Sequence, residues 1–322
     1  MKKCLCAVLA LLVVASLLPS SANSSFDSQT QSDDSLKLSA DLVVLDAHVV
    51  SKKSGLVVRG FARDDFVVHE DGVKQYISHF SQDKLPLSVV LLLDVSSSIA
   101  GIFDRLSAAA AQALKGLKPG DEAALMAFGG STKIVQGLTK DRQLVAGAIQ
   151  LADGTALENG TNINEAVYQA AVYLERTAHP QSRRAILAIT DDVADTRRIP
   201  SPRSEDSAFA RLYQSGAAVC GLLTFNPLRN ARRFVTPGSI RTYAEETGGL
   251  VVGADKKKLE ANLTEIIEHL RSRYSLGYLS SSQKRDGKFR QIKVQISQEA
   301  QKREGGTKVI TRRGYYAHGG KT

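Results

Sequence analysis

Cysteine is nearly absent from this chain: three occur in 322 residues, and two of them, Cys4 and Cys6, fall within the first six positions. Once an N-terminal segment is removed on export, Cys220 stands alone and no internal disulfide can form, even in an oxidising compartment. Stability then has to come from packing and from any bound ion. Cys220 lies in the apolar run Ala217 to Leu223 and reads as a small buried hydrophobe; with no histidine nearby in sequence, a catalytic thiol is not supported. Histidine is sparse too, and His179 is the sole one between His79 and His269. Without a Gly-x-Ser-x-Gly elbow around Ser96, Ser97 and Ser98, a serine hydrolase is excluded as well. No basic run interleaved with aromatics points to nucleic acid. The apolar stretch Leu5 to Leu18 is shorter than the about 20 residues a spanning helix needs.

That stretch has another reading. Lys2 and Lys3 supply a charged start, Leu5 to Leu18 an apolar centre, and Ser20-Ser21-Ala22 a small-residue cleavage site, the three parts of an export signal over residues 1–22. The expected product is exported, periplasmic or secreted, and soluble, with an uncleaved anchor as the alternative. Residues 23–37 are rich in Ser, Gln and Asp and read as a disordered leader. Removing the signal takes two lysines, leaving 42 − 2 = 40 basic residues against 33 acidic ones, about +7. From Arg271 onward 13 Lys or Arg face three acids, so the C-terminal piece carries the excess. It suits an anionic surface at the envelope, or else it protects strand edges. A hydrophobic content of 43% is enough for a true core, in one large domain or two modest ones.

Residues 38–85 alternate in short β-rich runs: Leu42 to Leu45, Val49-Val50, Leu56 to Val58, Phe66 to Val68 and Tyr76-Ile77. They are broken by Ser54-Gly55 and Asp71-Gly72, the second being the stronger hairpin signal. Over residues 86–273 strands and helices alternate. Predicted strands are Ser88 to Leu93, Glu122 to Phe128, Lys133 to Val135, Arg184 to Ile189, Ala217 to Thr224 and Leu250 to Val252. Predicted helices are Phe103 to Leu117, Asp141 to Ala152, Ile163 to Arg176, Glu205 to Gln214, Ser239 to Thr247 and Lys256 to Arg273. This is a doubly wound, mostly parallel α/β pattern. Gly248-Gly249 ends a helix as a left-handed cap would. Phe225 to Val235, with three arginines, reads as an exposed insertion. Residues 274–317 return to β character, and Phe289 to Ile296 alternate cleanly, with Arg290, Ile292, Val294 and Ile296 on one side. These strands are too few to bury a face alone. They are expected to pair with those of residues 38–85, enclosing the α/β unit between two halves of one β-sandwich.

The chemistry concentrates where the apolar run Leu87 to Leu93 ends. Asp94, Ser96 and Ser98 alternate along an extended turn, so three hard oxygen donors converge while Val95 and Ser97 face away. Such a set suits magnesium, manganese or calcium rather than zinc, and it stands at the carboxyl end of a strand, where parallel sheets keep ligand sites. Ser96 and Ser98 can also simply cap a helix. Asp94 is harder to explain that way, because a carboxylate ending an apolar strand is costly to desolvate unless it is paired or near a cation.

The segment resembles the metal-ion-dependent adhesion site of von Willebrand factor type A domains, in which Asp-x-Ser-x-Ser is followed downstream by a Thr and an Asp. Thr161, in Asn159-Gly160-Thr161-Asn162, and Asp191, at the exit of Ala185 to Thr190, match in order. Residues Leu38 to Ala317 further resemble an acidobacterial family of von Willebrand factor A-related proteins, through Phe66 to Gln75, the site motif, Asp286 to Val294 and Arg313 to Ala317. The resemblance implies that Ser96 and Ser98 bind a divalent cation, Mg2+ first and Mn2+ or Ca2+ as alternatives. It also implies that Thr161 joins directly or through water, and that Asp94 and Asp191 hold the water shell or coordinate in turn. An open position would accept an Asp or Glu of a protein partner, so the function expected is non-enzymatic capture. A structural envelope protein, stapled by its ion, is the alternative. A phosphatase of the haloacid dehalogenase type needs a second Asp where Ser96 stands and is set aside.

Overall fold

In the computed structural model, residues 42–317 are described except 83, 97–102, 153, 156, 195–200, 225–237 and 255–257. The predicted signal, leader and arginine-bearing insertion, and Ser98, lie outside these. The first described strand, β1 (Leu42–Ser51), joins two of the expected runs into one, because Asp46 and Ala47 keep the alternation going between them. Leu56 to Val58, expected as a strand, contributes only one antiparallel bridge, Val57 to Val50. Leu56 and Val57 are exposed there and have no sheet to cover. Next come β2 (Phe66–Glu70), β3 (Val73–Gln75) and β4 (Ile77–Gln82). Asp71 at φ 47° and Gly72 at φ 84° close the β2–β3 hairpin with Glu70 opposite Val73. Two successive positive φ values match the twist of paired strands, which is why an Asp-Gly pair sits there.

The α/β unit then runs through β5 (Leu87–Asp94), α1 (Phe103–Ala113), β6 (Glu122–Phe128), β7 (Thr132–Thr139), α2 (Arg142–Ala152) and α3 (Ile163–Thr177). It continues with β8 (Arg183–Thr190), α4 (Glu205–Ser215), β9 (Ala218–Thr224), α5 (Ile240–Thr247), β10 (Val251–Ala254) and α6 (Leu259–Arg271). The sheet order is β10-β9-β8-β5-β6-β7, parallel except for β7 at one edge. Every residue of β5 is buried, because helices cover both faces of the sheet. Its side chains divide between two cores by the two-residue period. Val89, Leu91 and Leu93 pack with Leu106, Ile149 and Ile266, whereas Val90 and Leu92 pack with Val167, Leu174 and Tyr243. The Gly248 cap at φ 76° ends α5 in the left-handed region, as its sequence predicts.

After α6 the chain adds β11 (Tyr274–Leu279), β12 (Phe289–Ile296), α7 (Gln298–Glu304), β13 (Thr307–Ile310) and β14 (Gly314–Tyr316). Helix α7 was not expected. It is a single capped segment, with Ser297 accepting from the Ala300 amide, too short to show an apolar period. The terminal strands form two antiparallel sheets, β13-β1-β11-β4 and β14-β12-β2-β3, each mixing strands from before and after the α/β unit. One core joins them, with Leu45, Val49, Tyr274 and Tyr278 from the first sheet against Phe66, Val68, Ile292 and Ile296 from the second. Along β12 burial alternates strictly, Arg290, Ile292, Val294 and Ile296 inward. Among the described residues no helix is long and apolar enough to cross a membrane.

Candidate functional site

The parallel register brings the ends of four strands to one edge. Asp94 is opposite Phe128 of β6, Leu93 opposite Ile189 of β8, and Thr190 opposite Leu223 of β9. Asp94 is fully buried, the eighth and last residue of an apolar strand. Its Oδ2 accepts from the Thr190 hydroxyl at 2.7 Å, and its Oδ1 accepts from the Ser96 amide at 2.9 Å. Burial is the largest influence on this carboxyl and pushes it up to about 6. Bonds from Thr190 and from the Ser96 amide and hydroxyl pull it down, and the negative field of Asp191 raises it again. A carboxylate held dry beside a second carboxylate is the situation a cation relieves.

Asp191 and Asp192 are adjacent acids with separate work. Asp191 is buried, its Oδ1 accepts from the Val193 amide at 3.0 Å, and its charge acts on Asp94. Asp192 faces the start of α5: its Oδ2 accepts from the Ser239 hydroxyl and its Oδ1 from the Ile240 amide, both at 2.7 Å. It therefore satisfies the Ile240 amide, one of those that α5 leaves open at its N-terminus. Its φ of 58° is a left-handed value that aspartate tolerates better than most residues. Thr190 links the two acids, since its Oγ1 donates to Asp94 and accepts from the Asp192 amide at 3.1 Å. A threonine at the end of a strand reads as an ordinary strand former, and nothing in the sequence marked it as the residue that aims Asp94.

Thr161 is buried just before α3. Its neighbour Asn162 donates its backbone amide to Gly129 O at 2.8 Å and its side-chain Nδ2 to Gly130 O at 2.6 Å. Gly129 and Gly130 directly follow β6, so these bonds tie Thr161 to the edge where Asp94 lies. The Gly130 amide in turn donates to Glu158 O at 2.7 Å, and a Cβ on Gly130 would stand 2.7 Å from that same oxygen. Only glycine lets the two loops approach so closely. The pair Gly129-Gly130 was not singled out from sequence; its signal was two consecutive glycines at the exit of an apolar strand.

Asp94, Ser96, Thr161 and Asp191 thus share the carboxyl edge of the sheet, and Ser98 lies outside the described residues. The donors are all oxygens, which fits a hard divalent cation. The Oδ1 of Asn162, beside Thr161, is buried with no hydrogen-bond partner among the described residues, a polar atom left over at the same place. Among those residues there is no group of three or more His, Cys, Asp or Glu side chains placed to hold a metal ion by themselves.

The family model of the von Willebrand factor type A domain matches residues 89–193. No curated protein matches the chain. Among solved structures, the chain is similar to the conserved hypothetical protein BatB from Bacteroides thetaiotaomicron, at 18% identity and a TM-score of 0.44, over 58% of this chain and 100% of that one. It is similar to an aerotolerance-related membrane protein from Bacteroides fragilis, at 17% identity and a TM-score of 0.44, over 57% and 98%. It is also similar to proximal thread matrix protein 1 of the mussel byssus, in a structure with a zinc-occupied MIDAS motif. That likeness has 13% identity and a TM-score of 0.47, over 64% of this chain and 50% of that one. With strands, helices and site motif in this order and residues 89–193 matched, the chain carries a von Willebrand factor type A domain.

Proposed function

We propose that this chain is an exported, non-enzymatic binding protein that captures a partner's Asp or Glu through a divalent cation at the edge of its central sheet. The observation that carries the reading is Asp94, buried at the end of β5, pushed up to about 6 by that burial, and lying in the field of Asp191. A cation favours the ionised form of Asp94. Ser96 and Ser98 are the direct ligands in this reading, Thr161 joins them directly or through water, and Asp94 and Asp191 hold the surrounding shell. Asp94 suits that outer role because both of its oxygens already accept from protein donors. Neutral hydroxyls as principal ligands leave the ion's charge only partly offset, so a carboxylate from another molecule completes it. Mg2+ is the first candidate, with Mn2+ and Ca2+ next.

The same two bonds to Asp94 favour a second reading, in which the ion only staples the fold of an envelope protein. A pull-down from envelope extract, with and without chelator, tests the first reading: partners should be lost on chelation and restored by Mg2+. Ser98→Ala separates the two. If capture of the partner survives while the protein merely melts earlier, the ion is a staple and the capture reading is wrong.

A further inference from the structure

At the opposite, amino-terminal edge of the same sheet the molecule holds a cavity of about 590 Å3 that the reading above leaves unused. Four arginines line it: Arg183 and Arg184 from the start of β8, Arg273 between α6 and β11, and Arg312 before β14. A single carboxylate, Asp46 of β1, faces them, giving 4 − 1 = 3 net positive charges on the wall. Arg273 is 2% exposed and Arg183 6%. Burial lowers the pKa of Arg273 and of Arg312, and the field of Arg183 lowers that of Arg273 further. Grouped, desolvated like charges are unfavourable unless an anion joins them.

A structural role accounts for part of each side chain. Arg184 Nη1 donates to Ser215 O at the end of α4 at 2.8 Å. Arg273 Nη2 donates to Gly248 O at the end of α5 at 3.0 Å, and Arg312 Nη2 donates to Val44 O at 2.9 Å. Those bonds satisfy carbonyls at helix ends and a strand. They leave donors over: the Nε of Arg184, of Arg273 and of Arg312 is buried with no acceptor among the described residues. Beside Arg273 the rings of His48 and His269 lie 3.9 Å apart, tilted by 56°. His269 Nε2 lies 3.0 Å from Arg273 Nη2, and the arginine can only donate, so this nitrogen accepts. The ring holds Arg273 in place without adding charge.

We propose that this cavity is an oxyanion site for a phosphate or phosphoester group, bound by the guanidiniums of Arg184, Arg273 and Arg312 in the field of Arg183. Phosphate oxygens match the planar donor fork of arginine in number and spacing. Apolar residues, Leu42, Val44, Leu85 and Pro180, also line the cavity, with Leu42 51% and Val44 40% exposed. A phosphoester carrying an apolar group would lie against them, whereas free phosphate would use the arginines alone.

The test is calorimetry and thermal melting of the full chain in EDTA, which keeps the cation site out of play, with inorganic phosphate, pyrophosphate and a short-chain phosphatidic acid as probes. Sodium chloride at matched ionic strength is the reference. Saturable one-to-one binding and a melting temperature raised above the chloride reference are expected. Tighter binding of phosphatidic acid assigns the site to a lipid-type phosphoester, and equal or tighter binding of the inorganic probes assigns it to a free phosphate. Arg312→Gln or Arg184→Gln should each weaken binding about tenfold, the worth of one charge-assisted pair. Lys293→Gln, which removes the same charge from the outward face of β12, should leave binding unchanged. Heats no larger than those of chloride, or equal binding by Arg312→Gln and the parent chain, would overturn the proposal.

Discussion

The two edges of the central sheet are built from the same strands yet carry opposite charge. At the carboxyl edge Asp94 and Asp191 lie buried among hydroxyls, whereas at the amino edge Arg183 and Arg184 open β8, with Arg273 and Arg312 beside them. Parallel βαβ connections place helix N-termini near the ends of the strands and helix C-termini near their starts. The partial charges of those termini favour anions at the first edge and cations at the second. Asp192 at the start of α5, and Arg184 and Arg273 on the last carbonyls of α4 and α5, follow that rule residue by residue. The difference teaches that a buried charge here is placed first by strand direction and only then put to chemical use.

The comparison breaks most severely where the amino edge depends on a closed ion pair. Asp121 Oδ1 accepts from Arg271 at 2.9 Å and from the Leu87 amide at 2.9 Å, with both side chains nearly inaccessible. Asp121→Ala leaves the guanidinium buried without its carboxylate and should cost about 3–5 kcal/mol in urea unfolding. At the carboxyl edge the largest effect is a pH dependence. The Asp94 carboxyl titrates near 6 in the folded chain against an ordinary 3.8, so the native state binds the proton more tightly than the unfolded one. In chelator, stability should therefore be full below pH 3.8 and fall as pH rises toward 6, by about 3 kcal/mol in all, then level off. Saturating Mg2+ should flatten that slope, and Asp94→Asn should abolish it in unfolding curves taken across the range.

Smaller changes sharpen the contrast. Gly130→Ala drives a methyl group into Glu158 O and should cost about 1–3 kcal/mol by thermal unfolding. It should also weaken the response to cation, because Thr161 is held by the same loop pair. Thr190→Val keeps the shape of the strand end and removes one bond to Asp94. The expected loss is about 1–2 kcal/mol, with the pH-dependent fall in stability extending to higher pH.

Much of this arrangement was legible in the residues. Largely apolar runs such as Leu87 to Leu93 indicated the buried strands, and Asp94 and Asp191, at the exits of two of them, gave the expected site residues. The strict alternation of Phe289 to Ile296 named the inward face of β12 before any contact was known. Other parts depend on distance in the chain. The pairing of β1 with β11 joins residues more than two hundred positions apart, and its existence, though not its register, followed from each half having too few strands. Thr190 and Asp192 carry no local mark of their roles, because those roles are defined by partners on β5 and α5. The arginine cavity was invisible for the same reason. The basic excess after Arg271 was plain, but several of those residues, among them Arg290 with Asp286, Arg303 with Asp65 and Arg313 with Glu246, are spent on ion pairs within the chain. Only folding shows which of the others converge.

The central claim is a cation held at the carboxyl edge by Ser96, Ser98 and Thr161, with Asp94 and Asp191 around it. Calorimetric titration of the purified protein with Mg2+, Mn2+, Ca2+ and Zn2+ tests it most directly. The account predicts one saturable site that favours a hard cation, raises the melting temperature and vanishes in Ser96→Ala. Absence of heat and of any shift in melting for every ion, or undiminished binding in Ser96→Ala, would contradict it.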